Sequence, residues 1–177
     1  MFKRTLIGLS LAFCLFLVSC AKESPQESVK DLTGYMMSID GDRVLVTEKV
    51  NIQEKAHPGA AVYTITDKTE IVSAEGEKLS LQDLSVGSFV EVWHTGVVAE
   101  SFPTQAEAIK VLVYTENEII NEGKAIRAAV DTLNPNQTWW IMSIQKQERL
   151  YEVHFSELSG ESEPIVVMVD EKFNVLK

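Results

Sequence analysis

The first feature of the hydrophobic pattern is an uninterrupted apolar run near the start of the chain. Residues Thr5–Val18 carry no charge and follow a short basic segment containing Lys3 and Arg4. This order is typical of a secretory signal peptide, and the run is shorter than the roughly 20 apolar residues that a membrane-spanning helix needs. We therefore expect an export signal over residues 1–19.

The signal ends in Leu17-Val18-Ser19-Cys20, which resembles the lipobox of bacterial lipoproteins. The resemblance implies that the Cys20 thiol receives a diacylglyceryl group and that Cys20 becomes the first mature residue. An ordinary signal with a chance cysteine is the alternative. Two acyl chains anchor a protein stably. The resemblance thus implies a location on the extracytoplasmic side of the cell membrane, with the polar residues 20–31 as a tether.

Residues 32–114 contain short alternating segments separated by turn residues, a pattern typical of β-strands. Asp40-Gly41 predicts a hairpin, and the spacing of Ser80 and Asp83 predicts a capped helical turn. The predicted strands are 32–39, 43–50, an interrupted third strand (60–66 and 70–72), 88–95 and 106–114. Five strands with this helix between the third and fourth predict a small OB-like barrel. Another small β-barrel or sandwich is the alternative.

Alternation along the last two of these strands predicts which side chains face the barrel core. Val90 and Val92 are expected to point inwards and Trp93 outwards, because they lie on alternate sides of one strand. In the final strand the expected core face is the set Glu107, Ile109, Val111 and Val113.

Residues 115–177 change from strand to helix periodicity. Apolar positions predict a helix over 116–133, stopped by Asn134-Pro135-Asn136. Three strands follow, at 138–145, 149–155 and 165–170, and Trp140, Met142 and Ile144 are expected on the core face of the first. A helix on a three-stranded antiparallel sheet is a compact α+β unit. At this size it is expected to depend on the barrel for stability.

Composition narrows the range of functions. The chain has 177 residues, of which 45% are hydrophobic, and a net charge of −10. This is too apolar for a disordered chain and too acidic for a non-specific nucleic-acid binder. The two cysteines are Cys14, inside the export signal, and Cys20. We therefore expect neither a thiolate nor a cysteine-bound metal in the mature chain.

The histidines and acidic residues do not form a recognised catalytic or metal-binding pattern. His57 is expected in a solvated loop, His94 at a strand end, and His154 on a face turned from the core. None has the spacing of a zinc site. We expect no enzyme activity, no metal and no cofactor; a hydrolase whose residues are dispersed along the sequence is the alternative.

Trp93 and Trp139 are the candidate partner-binding residues, because both lie opposite the predicted core faces. Exposed tryptophan is enriched at contact sites. One interpretation is that both side chains are buried against the neighbouring domain or the helix. The other is a surface that binds a protein partner or a sugar.

Three segments carry a resemblance to a known family: Gly34–Ile39, Leu84–Trp93 and Val98–Ala106. Over about 32–114 the chain resembles an uncharacterised domain family of Gram-positive lipoproteins. This implies an OB-like barrel, a secreted setting and no assigned activity. Residues 115–177 are similar to PepSY modules, which end in a motif like Val167–Asp170, although the glycine usual in the next turn is missing. That similarity implies peptidase restraint or envelope regulation.

Together these observations predict a membrane-anchored envelope lipoprotein that acts as a non-enzymatic binding or scaffold module. The expected partners are membrane lipid through Cys20 and either an envelope protein or a cell-wall glycan, with no nucleic acid. A module that binds cell-wall oligosaccharide or restrains a peptidase is the alternative.

Overall fold

The structure is a computed structural model that describes residues 28–49, 58–160 and 162–176. The predicted export signal, Cys20 and His57 lie outside these residues. The strands are β1 (Val29–Asp40), β2 (Arg43–Glu48), β3 (Ala60–Thr64), β4 (Glu70–Ser73), β5 (Phe89–Ala99), β6 (Thr104–Val113), β7 (Trp139–Gln147), β8 (Leu150–Glu157) and β9 (Ile165–Asp170), with one α-helix, α1 (Asn117–Val130).

Five strands close into a barrel, in the order β1, β2, β3, β6, β5. Neighbouring strands in this ring are antiparallel except β3 and β6, whose parallel pairing closes it. This confirms the predicted fold class: a small five-stranded barrel, followed by a helix and a separate three-stranded antiparallel sheet. The first strand begins at Val29, three residues earlier than predicted.

The predicted interrupted third strand is confirmed, because β3 and β4 pair one after the other, both in parallel, with β6. After β3 the chain turns, with the Thr69 N–H donating to the Thr66 carbonyl and the Thr69 hydroxyl donating to the carbonyl of Ala108. The chain then continues as β4, which pairs in parallel with the far half of β6, on the edge opposite β5. The capped turn is confirmed, since the Asp83 carboxylate accepts bonds from the backbone and hydroxyl of Ser80.

The barrel core confirms the inward positions of Val90, Val92, Val111 and Val113. The expected inward positions of Glu107 and Ile109 are wrong, because the side chain of Ala108 is buried instead. The pairing of β5 with β6 steps from Trp93–Lys110 to His94–Ala108. Ile109 is therefore the extra residue of a β-bulge, which reverses the alternation on either side of it.

A bulge also corrects the predicted core face of β7. Its pairing with β8 skips Met142, so that Trp139 and Ile141 share the core side before the bulge and Ile144 after it. Trp140, which simple alternation places on that side, lies on the opposite side and is also buried. The three strands form a sheet in the order β7, β8, β9.

A second core joins the barrel to the C-terminal unit. Tyr35, Met37 and Leu45 project from the outside of the barrel and pack among the buried side chains of α1, β7, β8 and β9. Successive residues of β1 thus pack into different cores, since Met36 lies in the barrel core and Met37 in this second one. We call this second core the seam.

No helix among the described residues is both long and apolar enough to cross a membrane.

Candidate functional site

The seam opens to solvent in a cleft of about 510 Å³, which we call the seam cleft. The barrel contributes Met37, Ile39 and Leu45 to its walls, and the C-terminal unit contributes Leu133 and Trp139. The polar lining residues are exposed or half-buried: Ser38, Asp131, Asn134, Gln137 and Thr138. An apolar floor with a few polar groups around it is the usual composition of a ligand site.

Trp139 is held in this cleft by the segment that ends α1. Its indole N–H donates a 3.1 Å hydrogen bond to the carbonyl oxygen of Asn134. The side chain lies among the seam residues with 6% of its surface exposed. This placement agrees with burial against the neighbouring unit, and a partner would meet only the edge of the ring. A role for Trp139 in partner binding stays a prediction.

Trp93 lies elsewhere, half-buried on the outside of the barrel. It faces Lys30 across one strand pair and Lys110 across the other. The Lys110 ammonium is 5.7 Å from the ring centroid, within the range of a cation–π contact. Trp93 is thus outside the barrel, as alternation predicted, but it does not belong to the seam with Trp139.

A second cleft, of about 360 Å³, lies between the barrel and the outer side of α1. Phe89, Tyr114 and Ile120 supply apolar walls, and the cations Lys124 and Arg127 are in its lining. At its base the backbones of Gly87 and Gly123 approach so closely that a Cβ on Gly87 would lie 2.1 Å from the carbonyl oxygen of Gly123.

Beside this second cleft, three aromatic rings follow one another along the barrel surface. The centroids of Tyr35 and Phe89 are 4.9 Å apart, and those of Phe89 and Tyr114 are 5.4 Å apart. The Tyr35 hydroxyl donates a 2.5 Å hydrogen bond to Glu122 of α1, and Lys49 lies 3.6 Å from the same carboxylate. These polar contacts hold the helix against the barrel.

A buried polar group joins Asp31, Tyr63 and His94. The Tyr63 hydroxyl donates to the Asp31 carboxylate at 2.6 Å, and the Nε2 atom of His94 lies 3.6 Å from that carboxylate. His94 Nδ1 accepts a 2.9 Å bond from the Gly96 N–H, so a neutral ring carries its proton on Nε2, toward Asp31. These contacts fix the first residues of β1 to the barrel.

Sequence reasoning missed this group because its members lie on β1, β3 and β5. One signal was present: His94 shares the alternation phase of Val90 and Val92, which indicates an inward side chain. The expectation that His94 merely ends a strand is therefore wrong, since β5 continues to Ala99 and His94 is 5% exposed.

His154 lies outside the seam, as expected, and contacts its own strand. Its Nε2 atom is 2.6 Å from the Glu152 carboxylate, and both side chains are half-buried. Within the described residues, no group of three or more histidine, cysteine, aspartate or glutamate side chains is arranged to hold a metal ion.

The buried tyrosines give a prediction for alkaline pH. Burial raises the pKa of Tyr63 well above the usual value near 10, and the hydrogen bond to Asp31 raises it further; burial and Glu122 do the same for the pKa of Tyr35. The folded state thus holds these protons more tightly than the unfolded chain does. The resulting stability is complete below pH of about 10 and is lost as the pH rises above it.

Tyr63 should therefore stay protonated while the chain is folded. We expect the folded Tyr63→Phe chain to show the same tyrosinate absorbance as the folded wild-type chain up to a pH of about 11. The absorbance step that accompanies alkaline unfolding should shrink instead. Absorbance at a tyrosinate wavelength and circular dichroism, followed in the same titration, separate the two signals. A smaller absorbance change while the chain is still folded would show that Tyr63 ionises like a free phenol.

Comparison with known protein families gives a match that covers the barrel. Residues 33–114 match the model of a family described as a protein of unknown function (DUF3221). This confirms the resemblance of that stretch to an uncharacterised domain family. No curated protein and no solved structure matches the chain.

Proposed function

We propose that this chain is a non-enzymatic binding or scaffold lipoprotein of the cell envelope, anchored through Cys20 and holding its ligand in the seam cleft. The observation that carries the binding role is the seam cleft itself, with Trp139 and other apolar side chains beside exposed or half-buried polar ones. The lipobox sequence Leu17–Cys20 supports the anchor and the extracytoplasmic location.

The lining of the seam cleft favours an apolar protein segment that carries no negative charge. Among the described residues of that lining, Asp131 is the charged one, so a neutral or cationic ligand suits the site better than an acidic one. The walls come from two units of the fold, and clefts between such units are common ligand sites. The favoured partner is therefore an exposed segment of another envelope protein. Restraint of a peptidase is one form that such binding takes.

A cell-wall oligosaccharide is the second candidate. Trp139 with the amides of Asn134 and Gln137 forms the combination of aromatic and planar polar groups that sugars contact. The face that OB barrels use for sugars lies on their second and third strands. Here Leu45 and Val62 of those strands pack into the seam, under the chain's own C-terminal unit. A glycan is thus restricted to the open margin of that face.

Filling the seam cleft tests this proposal. Ser38 is exposed on the cleft wall, so Ser38→Trp adds a large side chain there without displacing the core. A photo-crosslinking residue replacing Gln137, in intact cells, should capture an envelope protein in the wild-type background. We expect Ser38→Trp to lower that yield about tenfold, which corresponds to a binding loss of about 1.4 kcal/mol.

Glu107→Trp is the matched control, because Glu107 is exposed on β6 and lies outside the cleft. It should leave the crosslinking yield unchanged. If the wild-type chain sediments with purified cell wall and the Ser38→Trp chain does not, the ligand is the cell-wall glycan. Equal crosslinking for both variants, with no wall binding, contradicts a binding role for the cleft. Labelling with an alkyne fatty acid, lost in Cys20→Ala, tests the anchor separately.

A further inference from the structure

Four exposed apolar side chains lie on or beside the β5–β6 hairpin at one end of the barrel: Val29, Val97, Val98 and Phe102. Their exposed fractions are 44%, 77%, 37% and 61%. Val29 approaches the β5–β6 hairpin, since a Cβ on Gly96 would lie 3.7 Å from a methyl carbon of Val29. We call these four residues the hairpin-tip patch. Valine and phenylalanine side chains this exposed gain free energy when something apolar covers them.

The direction of the strands places these side chains at the end of the barrel where β1 begins. β1 is antiparallel to β5, and Val29 pairs with His94. Val29, the first residue of β1, therefore lies at the same end of the barrel as the turn that joins β5 to β6. The β1–β2 turn, which contains Asp42, lies at the other end of β1.

The length of the tether limits how far this end can stand from the anchor. Val29 is nine positions after Cys20 in the sequence, so the two lie at most about 30 Å apart whatever the conformation between them. Across a bulge between His94 and Val98, the hairpin extends beyond His94 by three residues of β6, from Ala108 to Gln105, which is about 10 Å. A chain anchored at Cys20 thus keeps the end of the barrel that carries the hairpin tip within about 30 Å of the anchor.

We propose that the hairpin-tip patch inserts into the interfacial region of the lipid bilayer and orients the barrel upright on the membrane. This inference rests on the anchoring at Cys20 proposed above. The attraction between the hairpin-tip patch and the bilayer comes from its apolar side chains. The charged residue between Val98 and Phe102 is Glu100, and anionic headgroups repel its carboxylate. Insertion should therefore be deeper in zwitterionic than in anionic bilayers.

A spin label on the acylated full-length protein tests this orientation. The signal containing Cys14 is removed and the Cys20 thiol is acylated, so an introduced cysteine is the single free thiol. Phe102→Cys places the label on the patch, and Asp42→Cys places the matched control on the exposed turn at the other end. In phosphatidylcholine vesicles we expect about tenfold fewer collisions of a water-soluble nickel chelate with the first label than with the second. Oxygen, which concentrates in lipid, should collide more often with the first.

Adding Val97→Asp to the Phe102 label should return it to water, because a carboxylate in the patch opposes insertion. Equal nickel collisions at both positions overturn the inference. So does a label at Phe102 that is shielded from both oxygen and nickel, since a second copy or a protein partner then covers the patch. The mass of the N-terminal peptide distinguishes the failures: without acylation the proposed anchoring fails as well, whereas with it only the orientation does.

Discussion

Replacing Gly34 by alanine is expected to destabilise the chain by about 3 kcal/mol or more, near the upper end of single-residue effects. A Cβ at this position would lie 1.8 Å from the carbonyl oxygen of Thr47 and 2.9 Å from the Cα of Glu48. Both atoms belong to the backbone of β2, directly across from Gly34. The two strands must separate to admit the methyl group, and the ladder between β1 and β2 is part of the closed barrel.

Urea unfolding followed by tryptophan fluorescence measures this loss. Ser38→Ala is the control on the same strand, because Ser38 is exposed and its truncation should change the free energy of unfolding by no more than about 0.5 kcal/mol. A Gly34→Ala chain as stable as the Ser38→Ala chain would mean that β1 and β2 separate at little cost. Glycine at this position would then not be needed for barrel closure.

The barrel could be predicted because local chemistry and tertiary structure agree along most of its length. Gly41 adopts a φ of +59° in the predicted hairpin turn, and the spacing of Ser80 and Asp83 does form the capped turn. Val90 and Val92 alternate in a strand whose two sides have different environments. In each case the pattern within a few residues contains the information that fixes the structure.

The wrong predictions of core faces share one cause, which is a β-bulge that no local pattern indicates. The bulges at Ile109 and Met142 each insert one residue, and a shift of one residue turns every later side chain to the other side. The expected core faces of β6 and β7 therefore fail on one side of each bulge. Bulges depend on how the partner strand pairs, which a single sequence does not reveal.

The seam cleft could not be predicted from local patterns, because its walls come from distant parts of the chain. Alternation identifies Trp139 as a candidate, but its position depends on Met37 and Leu45 projecting from the outside of the barrel. Those apolar residues lie in strands whose two sides are both buried, a pattern that hides which side meets which core. The sequence thus indicates a residue of the site without its surroundings.

The second large effect is expected for Gly87→Ala, because the backbones of Gly87 and Gly123 form a close contact between the barrel and α1. Gly87 has a φ of +88°, and a Cβ there would lie 2.1 Å from the carbonyl oxygen of Gly123 in α1. The left-handed backbone alone costs alanine about 1–2 kcal/mol. The contact adds a displacement of the helix from the barrel, so we expect a total loss of about 3 kcal/mol. Amide exchange in α1 should accelerate more than exchange in the barrel strands.

Gly76→Ala isolates the cost of the backbone conformation, because Gly76 has nearly the same φ, +87°, and a Cβ there would meet no neighbouring atom of the described residues within 4 Å. Gly123→Ala probes the contact from the helix side, where its Cβ would lie 2.5 Å from the Gly87 carbonyl oxygen. Helix propensity alone makes that change favourable by about 1 kcal/mol. A net destabilisation by Gly123→Ala therefore identifies the contact as its cause. If Gly87→Ala costs no more than Gly76→Ala, and Gly123→Ala stabilises the chain, the helix does not depend on this contact to dock on the barrel.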